Sequence, residues 1–164
     1  FTLPPLPSLM LPLGKKPKLT FKVRAIVGGR EVESSFADLL EGPTVVSVWM
    51  RDNTSACDKQ SAELGRVEKS VLKAGYRVMG VSRDSCGTHL KYAGKHGLRY
   101  TLVSDPDDQF SKAMDAMVEK SMYGKRYVGP ARAAYVFGAD RTLRAVIPKV
   151  DAAAHGDQVL AALA

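Results

Sequence analysis

The sequence predicts an α/β fold, with a mixed central sheet flanked by helices and a β-hairpin extension on the N-terminal side. Three observations predict it. Short apolar runs at residues 44–50, 76–82 and 100–103 have strand length, and amphipathic stretches of helical period separate them. A late hairpin follows, formed by residues 133–137 and 143–147 around the turn Gly138-Ala139-Asp140. The 164 residues suffice for one core that buries roughly 70% of the unfolded surface without a disulfide or metal.

Taken in order, residues 1–17 hold five of the nine prolines together with Leu3, Leu6, Leu9, Met10, Leu11 and Leu13. This composition favours an extended strap that packs on something rather than a helix. It lacks the basic start and unbroken apolar core of a signal peptide. Residues 18–164 then form a single domain. From Lys18 to Val27, apolar Leu19, Phe21, Val23, Ala25 and Val27 alternate with Lys18, Thr20, Lys22 and Arg24, and Gly28-Gly29 turns the chain into a second strand at 30–33. Ser34 or Ser35 caps a short helix through Phe36, Leu39 and Leu40 that stops near Gly42-Pro43. After the strand at 44–50, residues 58–73 place Leu64, Val67, Val71 and Leu72 on one helical face and end at Gly75. Ser85 caps the next helix, which runs to His96-Gly97. Asp105-Pro106-Asp107-Asp108 is a turn feeding a helix through Phe110, Ala113, Met114 and Met117, and Val159, Leu160 and Leu163 mark a closing helix.

Composition excludes several classes of function. No apolar run reaches the roughly 20 residues of a membrane span. The net charge of +7 is spread over dispersed lysines and arginines mixed with 17 acidic residues, without the basic and aromatic interleaving of a nucleic-acid site. Two cysteines make neither a disulfide framework nor a zinc site. His89, His96 and His155 read as solvated surface residues, and Met114 and Met117 as core filler. Gly28-Gly29 lacks the Lys-Ser/Thr ending of a phosphate loop.

Cys57 is the residue that points to chemistry. It sits where the strand at 44–50 gives way to a helix, and a thiol at a helix N-terminus meets unpaired backbone N–H groups and the positive end of the helix dipole. Both favour the thiolate, which is the nucleophile.

Four stretches, in order, carry a resemblance to a known family: Met50-Arg51-Asp52-Asn53-Thr54-Ser55-Ala56-Cys57 followed by Gln60, Gly80-Val81-Ser82-Arg83-Asp84-Ser85, Leu102-Val103-Ser104-Asp105-Pro106-Asp107, and Met122-Tyr123-Gly124-Lys125-Arg126-Tyr127-Val128-Gly129. Over roughly residues 18–164 they resemble the peroxiredoxins, specifically the bacterioferritin-comigratory or Q-type subfamily. The resemblance implies a thioredoxin-like fold and a thiol peroxidase acting on hydrogen peroxide or organic hydroperoxides; a cytoplasmic location is expected, although two cysteines fit either redox environment and N-terminal processing stays open. Electrons come from thioredoxin or another thiol donor, the chain is a monomer or weak dimer, and no cofactor is implied. Cys57 takes the place of the peroxidatic cysteine, and Thr54 that of the loop threonine whose hydroxyl lies beside sulfur and peroxide. Arg132, before the strand at 133–137, matches the arginine beside the sulfur, a permanently charged planar donor.

The chain departs from the pattern in three places. Met50 stands where the family has proline, and Ser55-Ala56 replaces Pro-Gly. Ala62 and Ala93 occupy the two usual positions of the resolving cysteine, so either Cys86, at a helix start on the C-terminal edge of the sheet, is the resolving cysteine, or the enzyme works with one cysteine, reduced directly by an external thiol with Cys86 a bystander. A disulfide needs the α-carbons within about 7 Å, hence local unwinding of one helix start. The first two departures motivate a second reading, a catalytically weak thioredoxin-like redox-sensing or binding module. A disulfide oxidoreductase is disfavoured because Cys-x-x-Cys is absent.

Overall fold

The computed structural model describes residues 11–50, 54–122 and 124–164. The first ten residues of the strap, the loop residues 51–53 and Tyr123 lie outside them. Lys22–Val27 (β1) and Arg30–Ser35 (β2) form the predicted hairpin, with Gly28 and Gly29 at φ +58° and +79° supplying a left-handed turn that a side chain would resist. Phe36–Leu39 (α1) follows, capped by the Ser35 hydroxyl accepting from the Asp38 N–H. Next come Thr44–Val48 (β3), Ser55–Lys73 (α2), Arg77–Ser82 (β4), Cys86–His96 (α3), Thr101–Ser104 (β5) and Gln109–Ala113 (α4). Met117–Met122 (β6) and Lys125–Pro130 (β7) pair with each other, Ala134–Phe137 (β8) and Leu143–Ile147 (β9) form the late hairpin, and His155–Leu163 (α5) closes the chain.

Seven strands form one sheet in the order β2-β1-β5-β4-β3-β8-β9. β3, β4 and β5 run parallel; β1 joins β5 and β8 joins β3 antiparallel, so the sheet is mixed as predicted. β3 is buried along its whole length, which its near-continuous apolar sequence Thr-Val-Val-Ser-Val anticipates for a strand covered on both faces. One face carries an aromatic cluster in which Phe36 stacks on Phe110 with centroids 4.6 Å apart and Tyr135 and Phe137 meet the Phe110 ring edge-on. The other holds Trp49, Cys57, Leu64, Val67, Val71, Leu102 and Val159. The described end of the strap does pack: Leu11 lies against the aromatic cluster and donates its N–H to Met114 O, and Gly14 and Lys15 exchange backbone hydrogen bonds with Leu143.

Two expectations fail. The helix through Met117 ends at Ala113, because Asp115 takes a left-handed conformation (φ 52°) and the chain leaves as β6. Met114 is buried as predicted, whereas Met117 is half-buried and starts that strand. The β6–β7 hairpin was not predicted at all; its turn falls within the Met122–Gly129 block, with Gly124 at φ +76°.

Gly80, in the middle of β4, is required by packing. A β-carbon there would collide with Cη2 and Cζ3 of Trp49 and come within 3.1 Å of Leu102 Cδ2. Gly80→Ala is therefore expected to cost roughly 2 kcal/mol through displacement of the indole. A lower urea midpoint together with a shifted Trp49 emission checks this; an unchanged midpoint refutes it.

Candidate active site

Helix α2 begins three residues earlier than its apolar pattern indicates, so Cys57 lies inside its first turn. Thr54 is the N-cap residue, extended at φ −103° and ψ 148°, and the first intrahelical bond runs from the Asp58 N–H to Thr54 O at 2.7 Å. Ser55, Ala56 and Cys57 occupy the turn whose N–H groups have no helical acceptor, where the backbone presents partial positive charge. Cys57 is fully buried.

Topology brings Arg132 to it. Because β8 runs antiparallel to β3, the start of β8 lies beside the end of β3, where the chain turns into α2. Ala133 O accepts from the Val48 N–H at 2.9 Å, and Arg132 O accepts from the Val150 N–H at 3.1 Å, pinning the backbone on both sides of Arg132. Its Nη1 then donates to Cys57 Sγ at 3.3 Å and to Gln60 Oε1 at 3.0 Å. Gln60, one turn beyond Cys57 and fully buried, is itself held: Nε2 donates to Ser47 Oγ at 2.7 Å and to Val48 O at 3.1 Å. The sequence stretch containing Cys57 includes Gln60, but its role as the arginine's acceptor emerges only in three dimensions.

The first turns of α2 are braced from α3 and from the segment between α3 and β5. Tyr92 Oη donates to Asp58 Oδ1 at 2.7 Å and pairs with Ser61 Oγ at 2.7 Å, and Tyr100 Oη donates to Ser61 O at 3.0 Å. On the opposite side, the half-buried Lys120 of β6 places Nζ against Met50 Sδ at 2.7 Å. Burial, reinforced by the charges of Arg132 and Arg83, lowers the Lys120 pKa from its ordinary value.

Cys86 shares with Cys57 the buried cluster on one face of the sheet, as its place at the C-terminal edge predicts, but it opens a different helix. It opens α3 after the Ser85 cap, is 5% exposed, and its charged neighbours are Glu31 and Arg24 of the β1–β2 hairpin. Burial, helped by Glu31, pushes its thiol up from the usual value.

The histidines correct the sequence reading. His89 is buried in α3, with Nε2 at 3.0 Å from Val103 O and 3.3 Å from Ser82 Oγ, and His96 packs its ring on Tyr92 at 4.5 Å between centroids. His155 is fully buried between Ser47 and Gln158. A warning signal was in the sequence: Ser47 is the lone hydroxyl within Val-Val-Ser-Val-Trp, and a polar group buried there needs a partner. Among the described residues no three His, Cys, Asp or Glu side chains cluster as metal ligands, and no helix is long and apolar enough to cross a membrane.

A buried thiol in a helix's first turn, on a sheet that a hairpin extends at one side, defines a thiol-dependent peroxidase of the thioredoxin-like class once the likenesses to known proteins are added. The chain belongs to the AhpC/TSA family, whose model matches residues 15–146, and it is a peroxiredoxin of the Bcp or Q type. Peroxiredoxin Bcp of Xanthomonas campestris pv. campestris is 34% identical over 119 residues, 73% of this chain and 74% of that one. Peroxiredoxin Bcp of Escherichia coli K12 is 33% identical over 107 residues, 65% and 69% of the two chains. The structure of Xanthomonas campestris peroxiredoxin Q superposes with a TM-score of 0.80 at 29% identity, covering 91% of this chain and 94% of that one, and a mutant PrxQ of Xylella fastidiosa with 0.82 at 25%, covering 93% and 95%.

Proposed function

We propose that Cys57 is the peroxidatic sulfur of this thiol-dependent peroxidase, with Arg132 and Thr54 as its partners. The observation that carries the assignment is the Arg132 guanidinium donating to Cys57 Sγ at 3.3 Å in the first turn of α2. The thiolate attacks the terminal oxygen of a hydroperoxide; an S–O bond forms, the O–O bond breaks, and the departing alkoxide or hydroxide takes up a proton as alcohol or water. Negative charge moves from sulfur to the leaving oxygen. A guanidinium already fixed beside the sulfur can serve both ends without reorganising, and the buried setting strengthens each hydrogen bond. Thr54, three residues before the sulfur, supplies a hydroxyl able to donate to one oxygen and accept from the other. A solved complex of the Xanthomonas campestris bacterioferritin comigratory protein is described in terms of alkyl peroxide reduction activity, which supports organic hydroperoxides as substrates here.

Two external thiols then return the sulfenic acid to thiol, releasing water and leaving the donor as a disulfide, with thioredoxin or a comparable dithiol protein as the donor. The position of Cys86 favours this direct route. Its neighbours are on the β1–β2 side, and its raised pKa keeps it a thiol. A resolving role for Cys86 would require a helix start to unwind locally. The test is rapid mixing of reduced protein with one equivalent of hydrogen peroxide, read by Trp49 fluorescence and then by intact mass. The expected product gains one oxygen atom, and Cys86→Ser turns over with thioredoxin at the wild-type rate. Loss of two hydrogens in the wild type, together with loss of turnover in Cys86→Ser, would establish the resolving role instead.

A further inference from the structure

The hydrogen bonds behind Arg132 do not stop at Gln60. Ser47 Oγ, which accepts from Gln60 Nε2, lies 2.9 Å from His155 Nε2, and His155 Nδ1 lies 3.1 Å from Gln158 Oε1. Ser47, Gln60 and His155 are each fully buried, and the chain of bonds joins β3, α2 and α5 to the start of β8.

The direction of every donor follows from the two ends. Gln158 Oε1 accepts the Asp151 N–H at 3.0 Å and, as a carbonyl oxygen, can only accept from the imidazole. His155 Nδ1 therefore carries the proton. Burial lowers the His155 pKa, which keeps the ring neutral and leaves Nε2 a bare acceptor. Ser47 must then donate to His155, so its remaining capacity toward Gln60 is as an acceptor. That requirement, together with Val48 O beside it, fixes the NH₂ of Gln60 toward β3 and leaves Oε1 facing Arg132.

We propose that His155 is a positioning residue of the active site, which sets the orientation of the Gln60 amide through Ser47 and thereby holds Arg132 on Cys57. Turned the other way, Gln60 would present NH₂ to a guanidinium, donor against donor, and Arg132 would lose the acceptor that shares its Nη1 with the sulfur. The neutral imidazole thus acts three hydrogen bonds away from the arginine and touches neither sulfur nor peroxide.

The inference rests on the assignment of Cys57 and Arg132, and a double-mutant cycle keeps the two separable. The second-order rate with hydrogen peroxide is measured by Trp49 fluorescence for the wild type, His155→Leu, His155→Gln, Arg132→Met and the Arg132→Met/His155→Leu double variant. Reduction of each sulfenic acid by dithiothreitol is followed separately. Loss of the His155 acceptor is expected to slow oxidation by about tenfold when Arg132 is present and by less than about twofold in the Arg132→Met background, with sulfenic acid reduction unchanged. His155→Gln, whose Oε1 can still accept from Ser47, is expected to recover most of that loss. Equal losses in both backgrounds, equal slowing of both half-reactions, or a His155→Leu rate matching the wild type overturns the positioning role. Should His155→Leu fail to fold, Ser47→Ala in the same cycle carries the same expectation, and additivity there overturns it equally. An Arg132→Met rate equal to the wild type would instead overturn the assignment on which the inference rests.

Discussion

Cys57→Ser is expected to abolish reaction with peroxide while leaving the fold intact. The hydroxyl is nearly isosteric with the thiol, so the first turn of α2 and the Arg132 contact survive. A serine at neutral pH, however, is almost wholly un-ionised, and the guanidinium hydrogen-bonded to the sulfur only donates and cannot take its proton. The second-order rate with hydrogen peroxide should fall by at least about 10³-fold, to the background of the assay. Cys86 does not compensate, because it is buried with a raised pKa and has the Glu31 carboxylate nearby rather than an arginine bonded to its sulfur. Stopped-flow fluorescence and peroxide consumption with dithiothreitol check both statements. Retention of the rate in Cys57→Ser and its loss in Cys86→Ser would transfer the reactive sulfur to the start of α3.

The parts of this molecule that were legible in the sequence are those written in local pattern. The apolar runs of β3 and β4, the Ser35 and Ser85 caps and the glycine at the end of α3 fell where the period and the turn chemistry put them, and the alternation in β1 held through Ala25 but broke at its end, where Ile26 is buried and Val27 exposed. The β6–β7 hairpin escaped because Phe110, Ala113, Met114 and Met117 also satisfy a helical spacing, and the left-handed Asp115 that ends the helix carries no glycine to announce it. Cys57, Thr54 and Arg132 were legible as motif. The partners that hold Arg132 were not, since Ser47, Gln60 and His155 span 108 positions and meet only because β3 is an interior strand of the sheet with α2 and α5 on one face. A histidine three residues from a glutamine at the head of an apolar helix looks like any surface pair until the element it faces is known.

Arg132→Met is expected to lower the second-order rate by about 10²- to 10³-fold, the usual consequence of removing a preorganised donor from a developing oxyanion. The side chain is held by its backbone on both sides, through Ala133 O to Val48 and Arg132 O to Val150, so methionine fills the same space and the protein stays folded. What is lost is one nitrogen that bonds sulfur and Gln60 together. Arg132→Lys separates charge from geometry. An ammonium restores the positive charge, yet a single rotatable head cannot reproduce the rigid plane whose Nη1 meets Sγ at 3.3 Å and Oε1 at 3.0 Å. Lysine is therefore expected to recover about a tenth of the wild-type rate or less. Full activity with lysine would mean that charge alone suffices, and full activity with methionine would remove Arg132 from the chemistry. Comparing the two with the same Trp49 signal and the same peroxide distinguishes a field effect, which falls off smoothly with position, from a hydrogen bond that must be aimed.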